Sequence, residues 1–302
     1  MTELLTLELS IFAMIAVGFM VRRIGIVGEQ GEKNLTDLVL LVILPCNIFN
    51  SFMTRLTGSM ATDCLWVLGI SIGIQALAVG YGKLFFRRQP QARRMNLEYA
   101  MICSNSGFLG NPMAEGVYGS IGLMLASIYL IPQRIMMWSE GLAIYSGSKD
   151  PRAAAKKVLT HPCVVSCFLG LAVMLAEIDV PAWLLAPVQT LAKCNTALSM
   201  LVIGMILARI DFRGLVDGTV ALFTLHRLVI LPLVVYLICL LLPISPIVRG
   251  VSVLLAAMPA GATTTMLALK YDRDPQFATK LVVFSTLCSI PAVMLWSLLL
   301  RT

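Results

Sequence analysis

Ten apolar runs divide this chain, and each is about as long as a helix that crosses a membrane. A helix needs about 20 residues to span the roughly 30 Å hydrocarbon layer. Hydrophobic residues make up 58% of the sequence and charged residues 13%, which excludes an ordinary soluble domain. The predicted fold class is therefore an all-α polytopic membrane protein. Its ten transmembrane helices are expected near residues 4–25, 35–53, 64–86, 96–118, 121–146, 157–176, 189–208, 218–242, 248–269 and 276–300.

Basic residues are concentrated in alternate loops. If the N-terminus lies outside, seventeen lysines and arginines fall in the inner loops, whereas Arg55, Arg249 and Arg301 fall outside. This bias predicts a multi-pass protein of the cell membrane with both termini outside and the basic loops in the cytoplasm. The loops also account for the net charge of +7, so we expect no nucleic-acid partner.

The two halves of the chain share the spacing of their spans. A shift of 153 positions places Tyr118 on Tyr271 and aligns three spans of the first half with three of the second. Because each half holds five spans, an odd number, the second copy must be inverted in the membrane. We therefore predict a first repeat at 1–148, a short cytoplasmic linker at 149–156 and a second repeat at 157–302.

The fourth and ninth spans are interrupted by residues that break helices. Proline removes a backbone donor and glycine weakens a helix, so backbone groups are left unpaired at membrane depth, where only protein or a water-filled cavity can cover them. Two such breaks in corresponding positions indicate the binding site of a transporter. The alternatives are an ordinary proline kink in the first break and threonines bonded to their own helix in the second. The predicted substrate-binding residues of the breaks are Asn105, Ser106, Gly107, Gly110, Asn111 and Pro112, with Met258, Pro259, Gly261, Thr263 and Thr264.

Four further polar residues inside spans are candidates for the site. Arg134 is predicted either to contact an anionic substrate or to brace a broken helix, with the two roles about equally favoured. Asn47 and Asn195 are amides that can face the same cavity. Glu140 is the best candidate for a titrating group that couples transport to an ion, although a carboxylate at the cytoplasmic interface is the favoured reading.

Motifs for catalysis and for metal binding are absent from the sequence. The eight cysteines lack metal-ligand spacing, and the two histidines, His161 and His226, are far apart in sequence. We therefore expect neither an enzyme nor a cofactor. The favoured function is a secondary carrier of a small organic anion, a carboxylate, working by alternating access and coupled, if at all, to protons or sodium. A sodium-coupled symporter of the bile-acid type and, less favoured, an intramembrane enzyme are the alternatives.

Four segments together resemble the auxin efflux carrier family, which includes bacterial malonate and malate permease-like proteins. They are Leu44 to Phe49, Cys103 to Pro112, Cys194 to Met205 and Ala257 to Ala260. The resemblance implies ten helices in two inverted repeats, with the fourth and ninth crossing at their prolines beside the substrate. It also implies a scaffold of helices 1, 2, 6 and 7, a moving bundle of the others, and a homodimer.

Overall fold

The computed structural model describes residues 2–53, 58–147, 151–208, 215 and 217–300, and this part of the chain is mainly helical, with no β-strand. Arg55, Lys149, Arg209, Arg213 and Arg301, which contribute to the charge bias, lie outside the described residues. The helices are α1 Thr2–Arg23, α2 Glu29–Leu38, α3 Leu44–Ser51, α4 Gly58–Phe85, α5 Gln91–Ile102, α6 Asn111–Trp138, α7 Glu140–Ser146, α8 Pro151–Leu159, α9 Pro162–Leu175, α10 Ala182–Lys193, α11 Asn195–Ala208, α12 Gly218–Leu225, α13 Leu231–Leu240, α14 Pro246–Ala256, α15 Thr263–Lys270 and α16 Pro275–Leu299.

Among the residues that the structure describes, six helical stretches are long and apolar enough to cross a membrane, so the chain is a multi-pass membrane protein. They are Glu29–Ser51, Gly58–Phe85, Ser106–Ser146, Ala182–Ala208, Gly218–Leu240 and Pro275–Leu299. The count of ten spans, the inverted repeat and the sidedness of the loops remain predictions.

Helix ends in the two halves do follow the shift of 153 positions. The shift places α5 on α14 to within two residues at either end. It also places Gly119, which kinks α6 with φ of 65°, on Asp272, which has φ of 51°. A residue with positive φ therefore follows each of the fourth and ninth predicted spans, and the repeat itself remains a prediction.

The chain forms two compact units, each built from segments distant in sequence. Unit 1 comprises Met1–Thr62, Asn111–Ser127 and Leu159–Ile210, and unit 2 comprises Asp63–Gly110, Ile128–Val158 and Asp211–Thr302. Unit 1 thus holds the first, second, sixth and seventh predicted spans, which the family resemblance assigns to a scaffold. It also holds Asn111–Ser127, from the fourth and fifth predicted spans, which the resemblance assigns to the moving bundle, so the scaffold and bundle remain predictions.

Glycines allow the helices of unit 1 to approach closely. Helix α1 lies along α11, and a Cβ on Gly204 would lie only 2.0 Å from the carbonyl oxygen of Ile15. A Cβ on Gly18 would lie 2.2 Å from the carbonyl oxygen of Leu201. Helix α3 packs on α9 and α10, with the ring of Phe52 against Gly170. Small residues at such contacts are typical of helix pairs in membranes.

Unit 2 has its own apolar core, formed where α5, α12, α13 and α16 meet. Its fully buried members include Leu97, Phe223, Leu231 and Leu281. A second cluster around Tyr99 and Tyr145 joins α5 to α7, and the ring of Tyr99 contacts Gly141. This packing fixes α5, the helix that leads into the first break.

In the described part of the chain, three π-helical turns each end two residues before a proline. They are Val39–Ile43, Ser106–Gly110 and His226–Ile230, which lead into Pro45, Pro112 and Pro232. Proline lacks an N–H and its ring crowds the carbonyl four residues back, so the helix widens by one residue there. Pro232 has no N–H to donate to the carbonyl oxygen of Leu228, four residues earlier. That oxygen accepts a hydrogen bond from Trp296 Nε1 at 2.8 Å.

Candidate functional site

The two broken segments meet inside unit 2 and run antiparallel. Ser104 lies opposite Ala260, the N–H of Asn105 donates to the carbonyl oxygen of Pro259 at 2.7 Å, and the N–H of Gly261 donates to that of Cys103 at 2.9 Å. Each segment thereby pairs backbone groups that its own helix no longer pairs, as a buried break requires. The sequence predicted two breaks that come together, and the structure brings these residues into contact.

Side chains on neighbouring helices tie the first break in place. Gln133 of α6 donates from Nε2 to the carbonyl oxygen of Ser104 at 2.9 Å and accepts at Oε1 from the Ser104 hydroxyl at 2.9 Å. Ser106 lies 2.5 Å from the Ser104 hydroxyl and donates to the carbonyl oxygen of Leu255 on α14 at 3.1 Å. Ser106 is therefore buried and already paired, which makes it part of the support of the crossing as well as a candidate for substrate contact.

Arg227 is the side chain that braces the broken helices. Its Nε donates to the carbonyl oxygen of Met258, the first residue of the second break, at 3.0 Å. Its Nη1 donates to that of Met101, near the end of α5 before the first break, at 3.3 Å. The residue is only 3% exposed, so its charge is stabilised mainly by these carbonyl dipoles. The sequence alone offers Arg134 as a candidate for this role.

Arg134 is buried in the same unit but is not fully paired. It is 7% exposed, and its Nη1 has no hydrogen-bond partner among the described residues. Its neighbour in sequence, Gln133, holds the first break, so Arg134 is close to the crossing along the chain. A buried cation with an unused donor favours an anionic partner, since an unpaired buried charge is costly.

Glu140 begins helix α7 and forms an ion pair, with Lys83 Nζ 2.8 Å from Glu140 Oε1. The carboxylate retains 20% of its side-chain exposure. This arrangement resembles the interfacial carboxylate that the sequence analysis considered, and its role in coupling remains a prediction.

The glycines of the breaks serve different purposes. A Cβ on Gly261 would lie 3.0 Å from the carbonyl oxygen of Cys103, and one on Gly110 would lie 3.2 Å from Met258 Cγ. These two positions therefore admit the close crossing. Gly107 has open space on the side where a Cβ would project. Only Gly107 of the three leaves free volume beside the break.

The second break begins with Met258 and Pro259 and ends where α15 starts at Thr263. Met258 and Thr264 are fully buried, and Thr263 is half-buried. The hydroxyl of Thr264 has no hydrogen-bond partner in the described structure. For this threonine, the alternative of a hydroxyl bonded to its own helix is therefore excluded. This leaves one buried hydroxyl beside the crossing for another partner.

The remaining predicted site residues lie in unit 1. Asn111 is fully buried, and both polar atoms of its amide are unpaired within the described part of the chain. Pro112 follows it in the first turn of α6. Asn195 is buried at the start of α11, where it accepts a hydrogen bond from Ser199 at 3.4 Å and leaves Nδ2 unpaired.

Asn47 lies at a polar cavity of about 270 Å³ in unit 1, lined by Asn47, Asn50, Glu115, Gln189, Ala192 and Lys193. The Asn47 amide donates from Nδ2 to Glu115 Oε2 at 3.0 Å. The cavity therefore contains one carboxylate, one ammonium group and three amides.

Sequence reasoning missed Glu115, Arg227 and Gln133 as principal site residues. Glu115 falls within the predicted span 96–118 and follows Asn111 by four residues, on the same face of a helix, which was a usable signal. Arg227 stands beside His226 in the sequence, and nothing there shows that its carbonyl partners come from the region of both breaks. Gln133 precedes Arg134 and lies seven residues before Glu140, and the sequence does not show that it bonds to the first break.

No group of three or more His, Cys, Asp or Glu side chains suited to a metal ion occurs among the described residues. The crossing itself presents buried arginines, hydroxyls and backbone groups.

Comparison with known proteins shows the family to which this chain belongs. A family model described as "Membrane transport protein" matches residues 4–158 and 152–297. A protein of Methanothermobacter thermautotrophicus, described as "Uncharacterized transporter", is 28% identical over 302 residues, 97% of each chain. A Rhizobium meliloti protein described as "Putative malonate transporter" is 23% identical over 307 residues, covering 97% of this chain and 94% of the relative. The chain belongs to the membrane transport protein family of the auxin efflux carriers, and it is a transporter rather than an enzyme.

Proposed function

We propose that this transporter carries a small organic anion, a carboxylate, by alternating access around the two crossed breaks. The observation that carries the proposal is the buried antiparallel crossing of Ser104 and Ala260 in unit 2. Irregular backbone at membrane depth is costly, and transporters retain it where substrate binds.

The charge of unit 2 supports an anion as substrate. Arg134 and Arg227 are both buried, and Arg227 is occupied by carbonyl oxygens whereas Arg134 Nη1 is not. A substrate carboxylate would supply the missing acceptor, and a charge-assisted hydrogen bond of this kind is about twice as strong as a neutral one. The free hydroxyl of Thr264 and the open side of Gly107 would complete the contacts.

The relative from Rhizobium meliloti suggests malonate as the first substrate to test. Purified protein in proteoliposomes would be assayed for uptake of labelled malonate, succinate and acetate, with labelled alanine as a substrate without net charge. We expect uptake of at least one of the three anions and little uptake of alanine. If none of the anions is transported, the proposal is wrong.

Arg134→Gln tests the residue proposed to meet the anion. It removes the charge but keeps donors, and we expect anion uptake to fall by a factor of ten or more. Arg87→Gln, at an exposed position after α4, is the matched control and should leave uptake unchanged. The thermal midpoint of each purified variant shows whether it is folded. A folded Arg134→Gln protein with normal uptake would exclude Arg134 from the site.

We also expect a homodimer, as the family resemblance implies. Light scattering of the detergent-solubilised protein measures this directly, and a monomeric mass would refute it.

A further inference from the structure

The polar cavity of unit 1 has no role in the proposed function, although it is built from charged and polar groups. Helix α3 contributes Asn47 and Asn50, α6 contributes Glu115, and α10 contributes Gln189, Ala192 and Lys193. At about 270 Å³ it has room for a small anion with some water.

Glu115 and Lys193 line this cavity without forming an ion pair, since no N···O distance within 4.0 Å joins them. Glu115 Oε2 accepts from Asn47, and the described residues provide no hydrogen bond to its other oxygen. Two opposite charges therefore face one cavity with space between them.

The charge lining the cavity depends on one proton. With Glu115 ionised, its negative charge offsets that of Lys193, and an anion meets both attraction and repulsion. With Glu115 protonated, the lining carries one positive charge, three amides that can donate and one carboxylic O–H donor. Only the protonated form is well suited to a carboxylate.

We propose that this cavity binds the carboxylate substrate together with one proton held on Glu115, so that anion binding is linked to protonation. The inference depends on the proposed function, because it assigns the coupling ion and a further binding site to the same carrier. The proton comes from water and is taken up by the free carboxylate oxygen, while Oε2 continues to accept from Asn47. No bond other than this O–H forms, and the proton returns to water when the anion leaves.

The other groups near the cavity do not compete for this role. Within the described residues, Lys193 is the only other charged side chain that lines it. The remaining titratable groups on α3, α6, α10 and on α9, which packs against α3, are Cys46, Cys163, Cys167, Tyr118, Tyr129 and Arg134, and none of them lines the cavity. Arg55 lies outside the described residues. The ammonium group of Lys193 also disfavours a sodium ion as the occupant.

The test measures malonate affinity by isothermal calorimetry on the full-length protein between pH 6 and pH 9. Wild-type affinity should fall as pH rises, by a factor on the order of ten to a hundred, the range given by one unit charge a few ångströms away at intermediate dielectric. Glu115→Gln mimics the protonated carboxyl and keeps an acceptor for Asn47, so it should bind malonate tightly at every pH. Comparing the two profiles cancels the titration of malonate itself.

Two further variants and proton counting complete the design. Lys193→Met should weaken binding at least tenfold at every pH, whereas Asp179→Asn, an exposed carboxylate of the same unit, should behave as wild type. Repeating the titration in buffers of different ionisation enthalpy should show up to one more proton taken up by wild type than by Glu115→Gln. Parallel pH profiles for these two proteins would overturn the inference.

The rival location for coupling is Glu140. If Glu140→Gln, rather than Glu115→Gln, abolishes the pH dependence, the inference is wrong and the sequence-based prediction is right. If malonate is transported but its affinity does not depend on pH through Glu115, the inference is wrong and the proposed function still stands. Failure of every carboxylate to bind or be transported would remove the proposed function itself.

Discussion

Replacing Gly261 with alanine tests whether the crossing requires direct backbone contact. The new Cβ would lie 3.0 Å from the carbonyl oxygen of Cys103 and 3.2 Å from that of Ser104. An unstrained carbon to oxygen contact is about 3.3–3.6 Å, so the two segments must separate by a few tenths of an ångström. Backbone oxygens held in a buried crossing cannot rotate away as a flexible side chain would.

The cost of this substitution has two parts. Overpacking of a buried site costs about 1–3 kcal/mol, and weakening the Gly261 to Cys103 hydrogen bond adds about 1 kcal/mol. We therefore expect Gly261→Ala to destabilise the folded protein by about 2–4 kcal/mol. Thermal unfolding of the detergent-solubilised protein, followed by intrinsic fluorescence, should show a lowered midpoint, and anion uptake should fall.

Gly107→Ala is the matched control for stability. It lies in the same break, but a Cβ there meets nothing within 4 Å, so the midpoint should stay within error of wild type. If Gly261→Ala unfolds at the same temperature as Gly107→Ala and transports normally, the close crossing does not exist as described.

Two other substitutions test the supports of each unit. Arg227→Met removes both bonds to the carbonyls of Met258 and Met101, and we expect it to reduce anion uptake more than tenfold, whereas Arg227→Lys should retain part of it because one bond can re-form. Uptake in proteoliposomes measures this, and equal activity of all three proteins would contradict the bracing role. Gly204→Ala places a Cβ 2.0 Å from the Ile15 carbonyl oxygen and should prevent recovery of monodisperse protein, whereas Gly69→Ala, with open space around it, should purify normally. Size-exclusion chromatography distinguishes these outcomes, and normal behaviour of Gly204→Ala would refute the close packing of α1 on α11.

The general architecture was predictable because hydrophobic length and helix breakers act locally. Apolar runs predicted a multi-pass membrane protein, and the prolines and glycines predicted two breaks at the places where α5 and α14 end. The turn at Gly119 also falls in the short gap between two predicted spans. These features depend on nearby residues, which a single sequence displays.

The partners of the polar side chains were not predictable, because they depend on distant contacts. Arg134 and Arg227 are both arginines within apolar spans, and only the fold shows that Arg227 reaches the carbonyls of both breaks. Glu115 was overlooked for a different reason. From the sequence, Glu140 is the carboxylate that lies best inside a predicted span. In the structure Glu140 pairs with Lys83, and it is Glu115 that lies at the cavity.

The discontinuous makeup of the two units has a consequence for biogenesis. Unit 1 needs residues up to Ile210 and unit 2 needs residues up to Thr302, so neither can be completed from the first half of the chain during synthesis. Helices that are synthesised early must therefore remain unpacked in the bilayer until the other helices of the same unit are inserted. A nascent chain of this protein would depend on the membrane, and on factors that shield polar groups such as Arg134, for most of its synthesis.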